Sequence, residues 1–248
     1  MRGIKLVADL HTHSVGSGHA YSTITEIAEA AGAIGLAVVA ITDHGPAMPG
    51  GPHLYYFGNL RVLPAEIAGV RVLKGVEANI ISENGQLDLD KFYLERLDVV
   101  LAGFHAQCFP SADRETCTRA MLNALDNPYV DIIVHPGNPE FPVDFEVVIK
   151  KAAEKGLPLE INNSSFCGSR RGSDGNCHEI ARMIAHYGAA VVIDSDAHFA
   201  RDVGKFDKAI ETALAEGIKE EQVLNTSVEK VLNYLGRKKE LLHSPNYT

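Results

Sequence analysis

Seven times along the chain a short run rich in β-branched residues is followed by a stretch with helical spacing, and no hairpin signal separates the runs. The runs are IKLVADL, LAVVAITDH, VRVLKGVEAN, LDVVLAGFH, VDIIVHP, LPLEINN and AAVVIDSDAH. Between them stand helical patterns such as TITEIAEAAGAIG, FGNLRVLPAEIAG, DRETCTRAMLNAL, FEVVIKKAAEKG and DGNCHEIARMIAHYG, and FDKAIETALAEGI and SVEKVLNYLG follow the last. Strands joined by helices lie parallel, and continuous apolar runs suit strands covered on both faces. The alternation predicts an α/β fold built on a parallel sheet.

The polar residues decide between an open sheet and a closed one. His11 and His13 follow the first run, His44 ends the second, Glu77 the third, His105 the fourth and His135 the fifth. Asn162 and Asn163 end the sixth, and Asp196 and His198 the seventh. An open doubly wound sheet gathers its site at one switch point, whereas a barrel brings every carboxyl end to one mouth. A contribution from every strand therefore predicts a TIM-like (β/α) barrel, with residues 1–248 read as a single domain.

With His19, these positions give seven imidazoles and two carboxylates: His11, His13, His19, His44, Glu77, His105, His135, Asp196 and His198. A catalytic zinc takes about three protein ligands, so nine ligands with one bridging carboxylate supply about ten bonds, enough for roughly three ions. In H-x-H the two imidazoles share a face of an extended strand. Such a centre suits phosphate esters, because clustered cations compensate both a dianionic substrate and the charge developing on its leaving oxygen. A metal-bridging hydroxide would attack phosphorus in line, without a side-chain nucleophile.

DLHTHSVGSGHAYS, AITDHG, GVEANI, AGFH, VHPGNP, LEINNSSF and DSDAH together resemble the PHP (polymerase and histidinol phosphatase) superfamily, most closely its YcdX-type bacterial phosphatases. The resemblance spans about residues 7 to 200. It implies a distorted seven-stranded β/α barrel and three divalent metal ions, usually zinc, with manganese or iron as alternatives. It gives His11, His13, Glu77 and Asp196 to one ion, His19, His44 and His198 to a second, and Glu77, His105 and His135 to a third. Glu77 is then the bridge, and Glu77, Asp196 and His198 stand nearest the chemistry.

Outside the ligand set, NNSSFCGSRRGS places Asn163, Arg170 and Arg171 beyond the sixth run, where a guanidinium fork suits phosphate. Arg170 matches the family's motif arginine. Asp43 is expected to orient a ligand rather than to bind metal, and Asp194 to be structural. His53, His178, His186 and His243 fall off the strand ends. His53 and the tyrosines Tyr55 and Tyr56 sit in a Gly/Pro-rich loop long enough to reach the mouth, and Cys108 lies three residues after His105.

The remaining expectations come from composition. A net charge of −9 disfavours nucleic acid, leaving a small phosphorylated substrate as the expected partner, with a homo-oligomer open. Four scattered cysteines without a C-x-x-C pair suggest a reducing cytoplasm. The N-terminal apolar stretch is broken by Asp9, too early for a secretory signal, and no run approaches a membrane span. An amidohydrolase would need a lysine ending a strand, which is absent here. A phosphodiesterase or exonuclease, and a non-catalytic metal-binding subunit, share the ligands and are separated only by activity.

Overall fold

The structure is a computed structural model that describes residues 3–168 and 170–242, so His243 lies outside the described residues. The seven runs form β1 (Ala8–Thr12), β2 (Val38–Ile41), β4 (Val70–Asn79), β5 (Val99–Gly103), β6 (Ile132–Ile133), β7 (Leu159–Asn162) and β8 (Val191–Asp194). They pair in parallel in the order β1-β2-β4-β5-β6-β7-β8. Seven parallel strands thus make a nearly closed barrel, as expected. One hairpin escapes the sequence pattern: β3 (Glu66–Ile67) pairs antiparallel with β4 across Ala68 and Gly69, so FGNLRVLPAEIAG is helical only in its first half.

The helices are α1 (Ile24–Ala33), α2 (Leu54–Asn59), α3 (Lys91–Leu94), α4 (Arg114–Asp126), α5 (Phe145–Lys155), α6 (Ser173–Tyr187), α7 (Asp207–Ala215) and α8 (Val228–Leu242). Capping explains several starts. Thr23 and Glu26 form a reciprocal capping box on α1, and the Asp113 and Asp144 carboxylates accept from Thr116 N and Val147 N at the starts of α4 and α5. Among the described residues, no helix is long and apolar enough to cross a membrane.

Two apolar layers surround the strands. The outer layer joins side chains such as Val39, Ile41, Val76, Ala78 and Ile161 to the helices. The inner layer fills the barrel with Ala8, Leu10, Val38, Leu73, Leu101, Ile132 and Val192, and Val231 and Leu235 of α8 pack into it. A register shift between Asp9 and Thr12 matters for function. Ala8 pairs with Val38 and Asp9 with Val39, yet Thr12 pairs with Ile41, so β1 carries one extra residue. Leu10 faces inward before the bulge, and His11 and His13 face inward after it.

The barrel closes between β1 and β8 without a regular ladder. At the mouth, Thr12 bridges Ala197, and His13 N donates to Ala197 O at 2.8 Å. Below that, side chains replace the backbone. Asn225 Nδ2 donates to Ala8 O (3.0 Å) and Ile193 O (2.7 Å), while Ile193 N donates to its Oδ1 (3.2 Å). Leu10 N donates to Asp194 Oδ1 (2.7 Å), and Ser195 N to Asp9 Oδ1 (3.2 Å). Asp194 is therefore structural, as the sequence suggested.

Asn225→Ala removes four buried side-chain bonds at this seam, the fourth to Asp194 Oδ1, and should cost roughly 2 to 4 kcal/mol, read from the denaturant midpoint. Burial, and then the neighbouring Asp9 carboxylate, hold the Asp194 carboxyl well above the usual range. Its stabilising contribution is full below the unfolded-state value of about 3.9 and is lost as pH rises toward the folded value. Asp194→Asn, which never ionises, should therefore gain stability relative to wild type as pH rises above about 4. A pH-independent difference would contradict this.

Candidate metal centre

The carboxyl ends of the strands bring all nine predicted residues into one cluster, with Glu77 at its middle. Its Oε1 lies 2.6 Å from His135 Nε2, 3.2 Å from His105 Nε2 and 3.4 Å from His11 Nε2. Its Oε2 lies 2.6 Å from His44 Nδ1 and 3.4 Å from His13 Nε2. Asp196 Oδ1 stands 3.2 Å from His13 Nε2 and 3.5 Å from His11 Nε2. His19 Nε2 completes the cluster on the solvent side, 3.2 Å from both His44 Nε2 and His198 Nε2.

Groups outside the cluster fix how these rings point. His11 Nδ1 lies 2.7 Å from Glu160 Oε1, His13 Nδ1 3.0 Å from Ser17 Oγ, and His105 Nδ1 2.7 Å from Asn79 Oδ1. His198 Nδ1 faces the carbonyl of Asp196 at 3.1 Å. With protons on Nδ1, the Nε2 lone pairs converge on the interior. Asp43 has the expected orienting role: its carboxylate accepts from Ser14 N, Ser14 Oγ, Ser17 Oγ and Tyr56 Oη, and Ser17 relays it to His13.

Backbone geometry serves the same end. His135 (φ 34°) and Asp196 (φ 55°) occupy the left-handed region, which His and Asp tolerate better than most residues. Gly103 leaves room for one ring, since a Cβ there would lie 2.7 Å from His135 Cε1.

The electrostatics are those of a desolvated, mutually compensating set. Burial alone would raise Glu77, but His105, His44 and His11 hold it well below the usual carboxylate range. Asp196 is likewise held low against its burial by His11 and Arg170. Burial would lower His11, yet Glu160, Asp196 and Glu77 raise it well above its ordinary value. Burial and then the neighbouring charges of His44 and His198 lower His13, and burial and Arg170 push His135 down to about 4.

The donors fit divalent cations. Glu77 Oε2, His105 Nε2, His44 Nδ1 and Asp196 Oδ1 are buried without a hydrogen-bond partner in the protein. Paired Nε2 atoms face each other at 3.1 Å (His11 and His13) and 3.2 Å (His19 with His44 and with His198). Two imidazoles on one tetrahedral zinc stand about 3.3 Å apart, as bond lengths near 2.05 Å require. Among the described residues, three groups have ligand atoms close enough for one ion: His11, His13 and Asp196; His13, His44 and His198; and His44, Glu77 and His105. His44 stands between two of them, with one ring nitrogen toward Glu77 and the other toward His19.

Beside the cluster lies a cavity of about 780 Å³ lined by Arg170, Asn163, Gln107, Asn138, Met48 and Lys205, among others. Arg170 Nη2 donates to Asp196 Oδ2 at 2.9 Å, and its buried Nη1 has no protein partner. The other two residues expected to bind substrate are placed differently from each other. Arg171 is exposed and does not line the cavity, because it sits in the turn before Gly172 (φ 92°), where consecutive side chains diverge. Asn163 does line it, but its Oδ1 accepts from Lys208 N (3.0 Å) and Ala209 N (3.1 Å), which fixes the start of α7.

Other sequence candidates fall away from the cavity. His53 Nδ1 caps α2 by accepting from Tyr55 N, Tyr55 is 76% exposed, and Tyr56 is spent on Asp43. His178 pairs with Glu216, and His186 packs on Tyr187. Burial first, then Asp88 and Glu77, push the Cys108 thiol up to about 11, so it stays neutral. Sequence reasoning missed Glu160, Asn79 and Ser17. Two of them carried a signal, since Glu77-x-Asn79 and Glu160-x-Asn162 each put two polar side chains on one face at the carboxyl end of a strand.

The PHP domain family model matches residues 9–134. A probable phosphatase of Caldanaerobacter subterraneus is 54% identical over 238 residues, covering 96% of this chain and 94% of the relative. Another, from a Thermoanaerobacter species, is 54% identical over 237 residues, with 95% and 97% covered. The histidinol phosphate phosphatase of Lactococcus lactis, solved with zinc, L-histidinol and phosphate, superposes with a TM-score of 0.61 at 17% identity, over 86% of this chain and 94% of that one. At that identity the superposition speaks for the fold. With the family model matching half of its length and such relatives spanning nearly all of it, the chain belongs to the PHP domain family.

Proposed function

We propose that the chain acts as one metal-dependent phosphatase domain that hydrolyses small phosphate monoesters at a centre of three divalent cations, with zinc the first candidate. The observation that carries this reading is the convergence of seven imidazoles on two buried carboxylates beside a cavity holding an unsatisfied guanidinium nitrogen. The relatives' designation as probable phosphatases supports it. His11, His13, Glu77 and Asp196 would hold one cation, His19, His44 and His198 a second, and Glu77, His105 and His135 a third. When bound, such cations neutralise phosphoryl charge and acidify water.

The protein's own residues set the conditions for that chemistry. Glu77 and Asp196 remain ionised despite burial, so the centre keeps its charge. Ser17, Asn79 and Glu160 hold imidazole protons outward. Arg170 lines the cavity and keeps Nη1 without a protein partner, and a phosphoryl oxygen would be a natural acceptor for its guanidinium. Among the described residues lining the cavity, the cations Arg170 and Lys205 are each paired with a carboxylate, which favours a small ester over a polyanionic strand.

Turnover of an aryl phosphate should vanish on chelation and return with metal, and elemental analysis should find three ions per chain. Activity that survives complete chelation, or a single ion at saturation, would overturn the reading. Glu77→Gln should cost more than any other conservative change, because it removes charge from two ion positions at once. Three retained ions with normal turnover would refute the bridge.

Arg170→Ala should keep its metal and lose about 30- to 1,000-fold in kcat/KM, the effect of deleting a charge-assisted donor worth roughly 2 to 4 kcal/mol. Arg171→Ala should stay close to wild type. Equal kinetics for the two variants would leave phosphate recognition to the metals.

A further inference from the structure

We infer that Glu160 is a positioning residue that couples two of the three cation sites and leaves the third independent. This rests on the three-cation reading above and concerns a residue outside the ligand set. Glu160 sits on β7 at 2% exposure, two residues before Asn162 on the same inward face. Its Oε1 lies 2.7 Å from His11 Nδ1. Its Oε2 accepts from the backbone N of His135 (2.8 Å) and from Asn162 Nδ2 (3.1 Å). The same Asn162 Nδ2 reaches Asp196 Oδ2 at 3.1 Å.

One carboxylate thus orients a ring of the first set and anchors the left-handed backbone that presents a ligand of the third. Among the other outer partners, Asn79 holds only His105 and the Asp196 carbonyl only His198, whereas Ser17 holds His13 and accepts from the backbone N of His44, which ties the first site to the second rather than to the third. None of the bonds to Glu160 involves His19, His44 or His198.

All three of its partners donate when His11 offers Nε2 to a cation, so the site needs two acceptor oxygens. Glutamine has one. If its amide nitrogen faces His11, the imidazole must accept at Nδ1 and carry its proton on Nε2, which removes the ligating lone pair. If the amide turns round, the His135 N–H meets a donor and the strained backbone loses its anchor. Either orientation damages the first or the third site directly, weakens the other through the Glu77 carboxylate that both share, and spares the second.

The test compares zinc-loaded wild type with Glu160→Gln by competition against chelators of graded strength, together with ¹⁵N NMR of the His11 ring. Two of the three ions should bind about 10- to 100-fold more weakly in the variant, with the third unchanged. The His11 signals should shift from the Nδ1-protonated to the Nε2-protonated form, or the His135 amide should lose its hydrogen-bonded shift. Should Glu160→Gln fail to fold, Glu160→Asp keeps the charge but is one methylene too short to reach both partners, and it should give the same pattern. Three ions held as tightly as in wild type overturn the inference, as does equal weakening of all three, which marks a general loss of structure. A wild type that takes up no zinc removes the metal reading itself.

Discussion

A single carboxylate, Glu77, lies within 3.4 Å of five imidazoles in a place no solvent reaches. Removing a carboxylate from water costs several kcal/mol, and only closely placed opposite charge or hydrogen-bond donors offset it. Those five rings come from β1 and from the ends of β2, β5 and β6. A strand slipped by one residue would turn its ring to the helical layer and leave the carboxylate uncompensated. The register of the barrel and the charge of the centre are thus one constraint, and the hydrophobic layers on either side of the strands serve to hold it.

Much of this was legible in the sequence because it is periodic or chemically rare. Alternating strand and helix patterns gave the barrel, and histidine is uncommon enough that six at strand ends, with His19 in the loop beyond the first, converge on one reading. The extra residue in β1 was not legible. Strict alternation puts Leu10 and His11 on opposite faces, and both face inward only because of a register shift that no propensity marks. β3 was hidden because two residues carry no pattern. The role of Glu160 was hidden because its partners, His11 and the His135 N–H, come from other strands that only the fold brings together. Arg170 and Arg171 are chemically identical neighbours, and only the turn that carries them separates their fates.

The seam between β1 and β8 extends the constraint below the site. Asn225, from a short turn after α7, occupies the place of a missing ladder, and Val7 N donates to its carbonyl at 3.0 Å. The strands that carry His11, His13, Asp196 and His198 are therefore spaced by a side chain from near the end of the chain. Because α8 follows directly and packs Val231 and Leu235 into the barrel, that helix is mechanically continuous with the first strand of the site.

The left-handed backbone at His135 and Asp196 bears on which elements this scaffold can adopt. Softer metals are recruited by sulfur ligands, and the simplest route to them is exchange of a nitrogen or oxygen donor for cysteine. At a positive φ such an exchange carries a backbone penalty in addition to the loss of the original donor, whereas histidine, aspartate and asparagine are favoured there. If His135 and Asp196 hold metal as proposed, two corners of the centre are biased toward nitrogen and oxygen by main-chain geometry, before any metal chooses among the side chains. Drift in metal preference would be channelled through positions with ordinary backbone, such as His19 on its exposed loop.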